Sequence, residues 1–352
     1  MTFEPGPTPE DREFDRALRP HSFDEFVGQT AIRENLAIAI TAARERQEPL
    51  DHVLFAGPPG LGKTTLSHLI AGGMGTALVA TSGPALVAPR DLVGTLSRLE
   101  RGDVLFVDEI HRLPRVVEEY LYSAMEDHAI DVVLDPGPSG RSVRLSLEPF
   151  TLVGATTREG LLTAAFRSRF GLIERLEPYP PEQIRSILER AAGKLGTEIA
   201  PEAADLIAQR SRGIPRVALR MQRRVRDLAQ VRGKDRMDEE IAAEGMARLR
   251  IDALGLEDLD RRILRALAER GEPTGLKTLS AIVEEAEDTI EEVFEPHLLR
   301  QGLLIRTPRG RSITKKGLEH LRLPAPVTSA SDTASPEQGF LLDGSDDPDI
   351  TG

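Results

Sequence analysis

The sequence predicts an α/β fold class in three units: a parallel-sheet domain with a β-hairpin insert, a small all-helical domain, and a C-terminal winged-helix domain. Three observations predict it. Short continuous apolar runs alternate with helical patterns in the first half, strand signals stop after Pro180-Pro181, and three helical patterns followed by a hairpin close the chain. A length of 352 residues suits two or three domains at about 100–200 residues each. The expected boundaries are a flexible segment over 1–17, the sheet domain over 18–180, the helical unit over 181–254, the winged-helix unit over 255–323 and a disordered tail over 324–352.

The runs Val53–Ala56, Ala77–Ala80, Val104–Val107 and Thr151–Gly154 are each bounded by Gly, Pro or charge. Continuous apolar runs, unlike alternating ones, suit strands covered on both faces. Between His128 and Leu147 the pattern switches. Ile130, Val132 and Leu134 alternate, Asp135-Pro136-Gly137-Pro138-Ser139-Gly140 makes a turn, and Val143, Leu145 and Leu147 alternate again, which reads as an inserted hairpin. Glu182–Gly193, Pro201–Arg212, Pro215–Arg232 and Asp238–Arg250 carry helical periodicity. Past Gly255, helices are marked by Leu259 to Leu267, by Leu276–Val283 and by Ile290 to Leu299. A two-stranded wing follows, from Leu303-Leu304-Ile305 through the turn Thr307 to Arg311 and on to Ser312-Ile313-Thr314.

Composition excludes several classes. Cysteine is absent, which removes disulfides, thiolate zinc sites and cysteine nucleophiles together. No stretch approaches the ~18 apolar residues of a membrane span, and Met1 to Glu10 carries acids and three prolines instead of a secretion pattern. A cytoplasmic protein is expected. The net charge is −12, and the six acids of the tail, with no Lys or Arg between Leu323 and Gly352, account for half of it. Any nucleic-acid contact must therefore come from local basic clusters.

The strongest chemical signal is Gly57-Pro58-Pro59-Gly60-Leu61-Gly62-Lys63-Thr64, which follows an apolar run and precedes helix-forming sequence from Thr65. This is the strand–loop–helix context of a phosphate loop. The glycines let backbone N–H groups close around phosphates, Lys63 reaches the β- and γ-phosphates, and the Thr64 hydroxyl is placed to ligate Mg²⁺. Val104 to Val107 ends in Asp108-Glu109. Downstream of a phosphate loop, Asp108 fits the Mg²⁺-side acid and Glu109 the residue that polarises the attacking water; taken alone, the pair would read as a helix cap. A hydroxyl at the strand end Gly154-Ala155-Thr156-Thr157-Arg158 can hold that water or sense the γ-phosphate; the plainer reading is a Thr-rich strand end with satisfied hydroxyls. Arg167 and Arg169 precede Phe170-Gly171, where an arginine at a subunit edge can neutralise charge on a neighbour's γ-phosphate. Arg216 opens a helix of the second unit and can reach the nucleotide from there, or merely pair with an acid.

With these residues together the chain resembles the AAA+ P-loop ATPases, and within them the RuvB family, from about Leu18 to Leu323. The resemblance rests on Arg19-Pro20 with Val27-Gly28-Gln29, Asp108 to Leu113, Glu118-Glu119 through Tyr122 to Asp127, Gly154 to Arg158, Arg169-Phe170-Gly171 and Arg306 to Arg311. It implies a homohexameric ring that uses ATP to pull duplex DNA through Holliday junctions in recombination, repair and the SOS response. The implied partners are RuvA, docked on the 130–147 hairpin, and RuvC. It also implies roles for residues: Lys63, Thr64 and Asp108 on phosphate and Mg²⁺, Glu109 on water, Thr157 as first sensor, Arg169 as arginine finger and Arg216 as second sensor. Leu18, Arg19, Gly60, Leu61, Gly62, Thr65, Glu126, Asp127, His128 and Tyr179 fall at nucleotide contacts. The sequence departs from the family at Ala164-Ala165-Phe166, at Pro178 and at the acidic, proline-rich hairpin tip. The competing reading is a clamp-loader-like or initiator-like AAA+ switch that binds DNA without translocating; the hairpin and the Thr307-Pro308-Arg309-Gly310-Arg311 wing speak against it.

The third helix of the winged domain is a poor DNA reader, because Glu284, Glu285, Glu287, Asp288, Glu291, Glu292 and Glu295 lie around it. The wing offers Arg306, Arg309, Arg311, Lys315 and Lys316, suited to tracking phosphates without reading bases. The expectation is that the acidic helix packs away from DNA while the wings line the DNA path. The plainer alternative is that the basic turn pairs with the acidic helix.

Overall fold

A computed structural model describes residues 17–133 and 142–323 of the chain. The N-terminal segment before Ala17, the expected hairpin tip from Asp135 to Arg141 and the acidic tail lie outside the described residues. The first domain contains α1 (Thr30–Arg46), β1 (Val53–Ala56), α2 (Lys63–Met74), β2 (Leu78–Ser82), α3 (Pro89–Leu96), β3 (Val104–Asp108) and α4 (Arg115–Asp127). It continues with the hairpin strands β4 (Ala129–Val133) and β5 (Ser142–Ser146), then β6 (Thr151–Thr156), the short α5 (Ala164–Arg167) and β7 (Leu172–Arg175).

The central sheet is parallel, in the order β2-β3-β6-β1-β7. Side chains alternate across the inner strands β3, β6 and β1, whose two faces are both covered. Val53 and Phe55, Val104 and Phe106, and Val153 and Ala155 enter one core with α1 and α2. Leu54, Leu105, Val107 and Leu152 enter the other, with α3 and α4. The fifth strand, β7, is one that the sequence pattern does not announce. Leu172-Ile173-Glu174-Arg175 alternates exposed and half-buried positions on the sheet edge, where no continuous apolar run is needed.

The second unit comprises α6 (Pro181–Lys194), β8 (Glu198–Ile199), α7 (Pro201–Arg210), α8 (Pro215–Val231), β9 (Arg236–Met237) and α9 (Glu239–Arg248). Proline at the first position of α6, α7 and α8 sets φ for the helix and has no N–H to leave unpaired. The expected all-helical unit thus gains one two-residue parallel pair, β8 with β9. Its apolar faces are continuous with the first core, through Ile184, Leu188, Ile207 and Met221.

The third unit has α10 (Asp258–Arg270), α11 (Leu276–Val283), α12 (Glu287–Thr289), a π-helical turn (Ile290–Phe294) running into α13 (Glu295–Arg300), the wing strands β10 (Leu304–Thr307) and β11 (Gly310–Ile313), and α14 (Lys315–His320). Ile263, Leu267, Leu279, Ile290, Phe294 and Leu298 form its separate core. Buried polar groups join it to the helical unit. Arg212 donates to Asp260 at 2.5 Å and to the Gly255 carbonyl at 2.9 Å, and Arg300 donates to the Arg212 carbonyl at 3.2 Å. His297 is pushed down to about 4 by burial and by nearby Arg212. It is therefore neutral at pH 7, and its Nε2–H donates to the Leu254 carbonyl at 2.9 Å.

Candidate functional site

Parallel register brings the candidate residues to one edge of the sheet, beyond the carboxyl ends of the strands, where ligands of open α/β sheets bind. Ala56 at the end of β1 pairs with Thr156 at the end of β6, and the Gly57 N–H continues the ladder to the Thr156 carbonyl at 3.1 Å. The loop then turns into α2, whose first residues are Lys63, Thr64 and Thr65. Gly60 and Gly62 have φ of +82° and +109°, which L side chains rarely adopt. A Cβ on Gly60 would stand 2.8 Å from Ile214 Cγ2 and 3.1 Å from Arg216 Cβ, so α8 of the second unit rests directly on the loop. Leu61 is buried, and the Tyr179 hydroxyl donates to its carbonyl at 3.1 Å. Burial raises the Tyr179 pKa, so its proton stays on.

Lys63 is almost fully buried, and its ammonium donates to the carbonyls of Gly57 at 2.6 Å and Pro58 at 2.9 Å. Burial pushes its pKa down to about 8; nearby Asp108 opposes that shift and Arg216 adds to it. Lys63, Asp108 and Arg216 therefore interact electrostatically although they come from three different segments. Asp108 ends β3 beside Ser82 of β2, and its Oδ1 accepts from the Glu109 N–H at 3.0 Å. Glu109 sits in the left-handed region at φ 49°, uncommon for a residue with a side chain, and Arg112 holds its carboxylate at 3.0 Å.

The end of β6 carries Thr156 and Thr157 with different partners. Thr156 Oγ1 lies 3.0 Å from His111 Nδ1 and accepts from the Arg158 N–H at 3.0 Å, tying the turn after β3 to the turn after β6. Thr157 donates to Glu292 of the winged-helix unit at 2.9 Å. A cavity of about 360 Å³ lies here, lined by Pro58, Thr157, Arg158, Glu292 and Arg306 among others.

Arg169 follows α5 on the same domain. Its guanidinium lies 4.2 Å from the centroid of the Tyr122 ring, pairs with Glu126 at 3.1 Å and donates to the Ala165 carbonyl at 2.5 Å. The contacts of the Glu126–His128 stretch keep it beside Arg169: Asp127 pairs with Arg144 at 3.3 Å, and the His128 carbonyl accepts from the Leu147 N–H at 2.8 Å. Leu18 is buried, and Lys194 of α6 donates to the Arg19 carbonyl at 3.2 Å, so the entering segment is fastened to the second unit.

Two of the five wing cations show the pairing with the acidic helix that the plainer expectation describes. Arg306 and Arg311 each make two hydrogen bonds to the Glu295 carboxylate, between 2.7 and 3.1 Å, and that carboxylate is 1% exposed. Glu291 adds a contact to each at 3.5 Å. The acidic helix does not stand apart, because it neutralises two wing arginines and also meets the first domain. Arg309, at the exposed wing tip, makes no ion pair among the described residues.

His111, Tyr122 and Arg158 lie within motif segments without a role of their own, Ile214 is unmarked, and Glu292 reads only as one acid of a helix. The contacts that give them roles join segments far apart in the chain. Among the described residues there is no cluster of three or more His, Asp or Glu suited to hold a metal by itself. One hydroxyl (Thr64) and one carboxylate (Asp108) are the donor set that a Mg²⁺ ion uses when phosphates and waters complete its octahedron.

Known proteins resemble this chain over most of its length. Residues 18–176 match the Holliday junction DNA helicase RuvB P-loop domain, 179–252 the RuvB AAA lid domain and 253–322 the RuvB C-terminal winged helix domain. The Holliday junction branch migration complex subunit RuvB of Kosmotoga olearia is 53% identical over 319 residues, 89% of this chain and 93% of the relative. That of Thermotoga petrophila is 51% identical over 324 residues, 91% of this chain and 97% of the relative. The solved Thermotoga maritima RuvB Holliday junction branch migration motor matches with a TM-score of 0.81 at 49% identity, covering 88% of this chain and 100% of that one.

Proposed function

The chain belongs to the RuvB family, and from that premise we propose that it is an ATP hydrolase that drives branch migration of Holliday junctions. The observation that carries the reading is the convergence of the phosphate loop, Asp108-Glu109, Thr157 and the Ile214–Arg216 turn on one sheet edge, on a chain that also bears a winged-helix domain.

In this reading the loop amides and Lys63 bind the ATP phosphates, and Lys63 exchanges the Gly57 and Pro58 carbonyls for phosphate oxygens. Thr64 and Asp108 are the residues that would hold Mg²⁺, which supplies charge neutralisation at the β- and γ-phosphates. Glu109 accepts the proton of the attacking water, with Arg112 restraining its carboxylate until substrate arrives. Thr157 orients that water or the γ-phosphate, and Arg216 senses the nucleotide from the lid. Leu18, Arg19 and Tyr179 border the nucleotide within the same subunit. Arg169, with the Glu126–His128 stretch beside it, serves the nucleotide of the adjacent subunit in a homohexamer. An arginine supplied in this way is a large rate term in such enzymes.

Arg306, Arg309 and Arg311 track duplex phosphates. The hairpin, whose described strands present a half-exposed Val143, docks on RuvA, with RuvC as the third component. Action in the cytoplasm during recombination, repair and the SOS response follows from this reading; no described helix is long and apolar enough to cross a membrane.

Single-turnover kinetics tests the site. Lys63→Ala should lose ATP binding, while Glu109→Gln should bind ATP and hydrolyse it at least about a hundredfold more slowly. Wild-type turnover in the Lys63→Ala protein would reject the site.

A further inference from the structure

An unbroken chain of polar contacts runs from the catalytic strand end to the wing. Thr157 donates its hydroxyl proton to Glu292 at 2.9 Å. Arg158, the next residue, pairs with the same Glu292 at 2.6 Å, with Asp288 at 2.7 Å and with Glu291 at 3.4 Å. Glu291 then reaches Arg306 and Arg311, each at 3.5 Å, and both arginines close on buried Glu295. Glu291 and Glu292 are adjacent in the π-helical turn Ile290–Phe294, so one short segment faces both the wing and the first domain. Single π-turns inside helices are frequent at functional sites.

A hydroxyl has one O–H to donate. Spent on Glu292, the Thr157 proton is not available to a water or a phosphate oxygen. The wing arginines that duplex phosphates need are the ones that hold Glu291 and Glu295. Phosphate arriving on the wing competes with these carboxylates for the arginines and repels the remaining acids of the helix. Both effects draw the π-turn away from the first domain.

We propose that Glu292 is a positioning residue of the hydrolytic site: it withholds the Thr157 hydroxyl until duplex DNA on the wing withdraws it. The inference rests on the functional reading above, in which Thr157 serves hydrolysis and the wing meets DNA. It adds the contact by which DNA controls the rate. Glu292 acts through Thr157 and touches no substrate. Arg158 is its anchor, because three carboxylates of the winged-helix domain converge on that one guanidinium.

The test is steady-state ATP hydrolysis by the full chain, with and without saturating plain duplex DNA, for wild type, Glu292→Ala, Arg158→Ala and Thr157→Val, each checked by thermal melting. Wild type should be stimulated several-fold by duplex. Glu292→Ala should turn over without DNA at close to the wild-type stimulated rate and gain less than twofold from DNA. The change should lie in kcat, with KM for ATP within twofold of wild type, a split that a loosened fold would not produce. Arg158→Ala should move in the same direction, and it carries the test if Glu292→Ala melts early. A folded Glu292→Ala protein that keeps the wild-type basal rate and the wild-type response, or that is slower in both conditions, overturns this inference alone. A wild-type rate indifferent to DNA, or a Thr157→Val protein as active as wild type, overturns the functional reading on which it rests.

Discussion

The guanidinium of Arg169 lies over the ring of Tyr122, 4.2 Å from its centroid, and pairs with Glu126 at 3.1 Å. The Tyr122 hydroxyl is itself tied to Glu118 and to Thr163, so the ring is a fixed platform. Removing an arginine finger lowers kcat by about 10³ or more, and Arg169→Ala should do so in this chain. A cation–π contact contributes about 0.5–2 kcal/mol. Tyr122→Ala should therefore slow hydrolysis about tenfold, while Tyr122→Phe, which keeps the ring and loses its two ties, should fall between that and wild type. If Arg169 acts in trans, mixing Arg169→Ala with Glu109→Gln protein restores some hydrolysis at mixed interfaces. No recovery in stably mixed rings would contradict it.

Lys63 gives a pH signature. Burial holds its pKa at about 8, below the usual lysine range. In the free protein it loses its proton as pH rises through 8, whereas bound phosphates favour the ammonium form. ATP affinity should fall above pH 8, and binding at pH 8.5 should take up roughly three quarters of a proton. Calorimetry in two buffers of different ionisation enthalpy reads that proton directly. Binding with no proton uptake would contradict the assignment of Lys63 to the phosphates.

The second and third units are joined through a buried charge. Arg212 and Asp260 are both buried and meet at 2.5 Å. Arg212 also pairs with Glu257 at 3.2 Å, whereas removing Arg212 strands the buried Asp260 carboxylate, which costs about 3–5 kcal/mol. Arg212→Ala should lower the melting midpoint by several degrees. Arg309→Ala, at an exposed site without an ion pair among the described residues, should leave that midpoint in place.

Much of this molecule is legible locally. A phosphate loop, an acid pair after a buried run and a threonine-bearing strand end are each continuous in sequence, and parallel register then collects them without further information. Strand β7 escapes the reading because an edge strand with Glu174 and Arg175 has no continuous apolar signature. The Thr157–Glu292 contact spans 135 residues. The acidic helix looks like a solvated face, and only the tertiary fold reveals that its carboxylates serve Arg158, Arg306 and Arg311. The wing shows the same limit. Its five cations announce a phosphate surface, while the two that are already neutralised can be identified only once Glu295 is placed beside them.

That neutralisation shapes the DNA prediction. Removing one arginine from the phosphates lowers the log–log salt slope of duplex binding by about 0.9, roughly evenly over sequences. Arg309→Ala is the cleaner probe, because removing Arg306 and Arg311 also strands the Glu295 carboxylate. The Arg306→Ala/Arg311→Ala protein should lose DNA-stimulated hydrolysis while still binding nucleotide. Unchanged duplex affinity in that double variant would show that the wing does not meet DNA.

In the proposed function this site moves DNA. Its most direct test is ATP-dependent dissociation of a synthetic four-way junction, with and without the cognate RuvA, using Lys63→Ala as control. Junction movement that requires ATP, Lys63 and RuvA is the result expected. Hydrolysis without movement, in a mixture shown to assemble on the junction, would contradict the motor and leave a nucleotide-dependent DNA switch in its place.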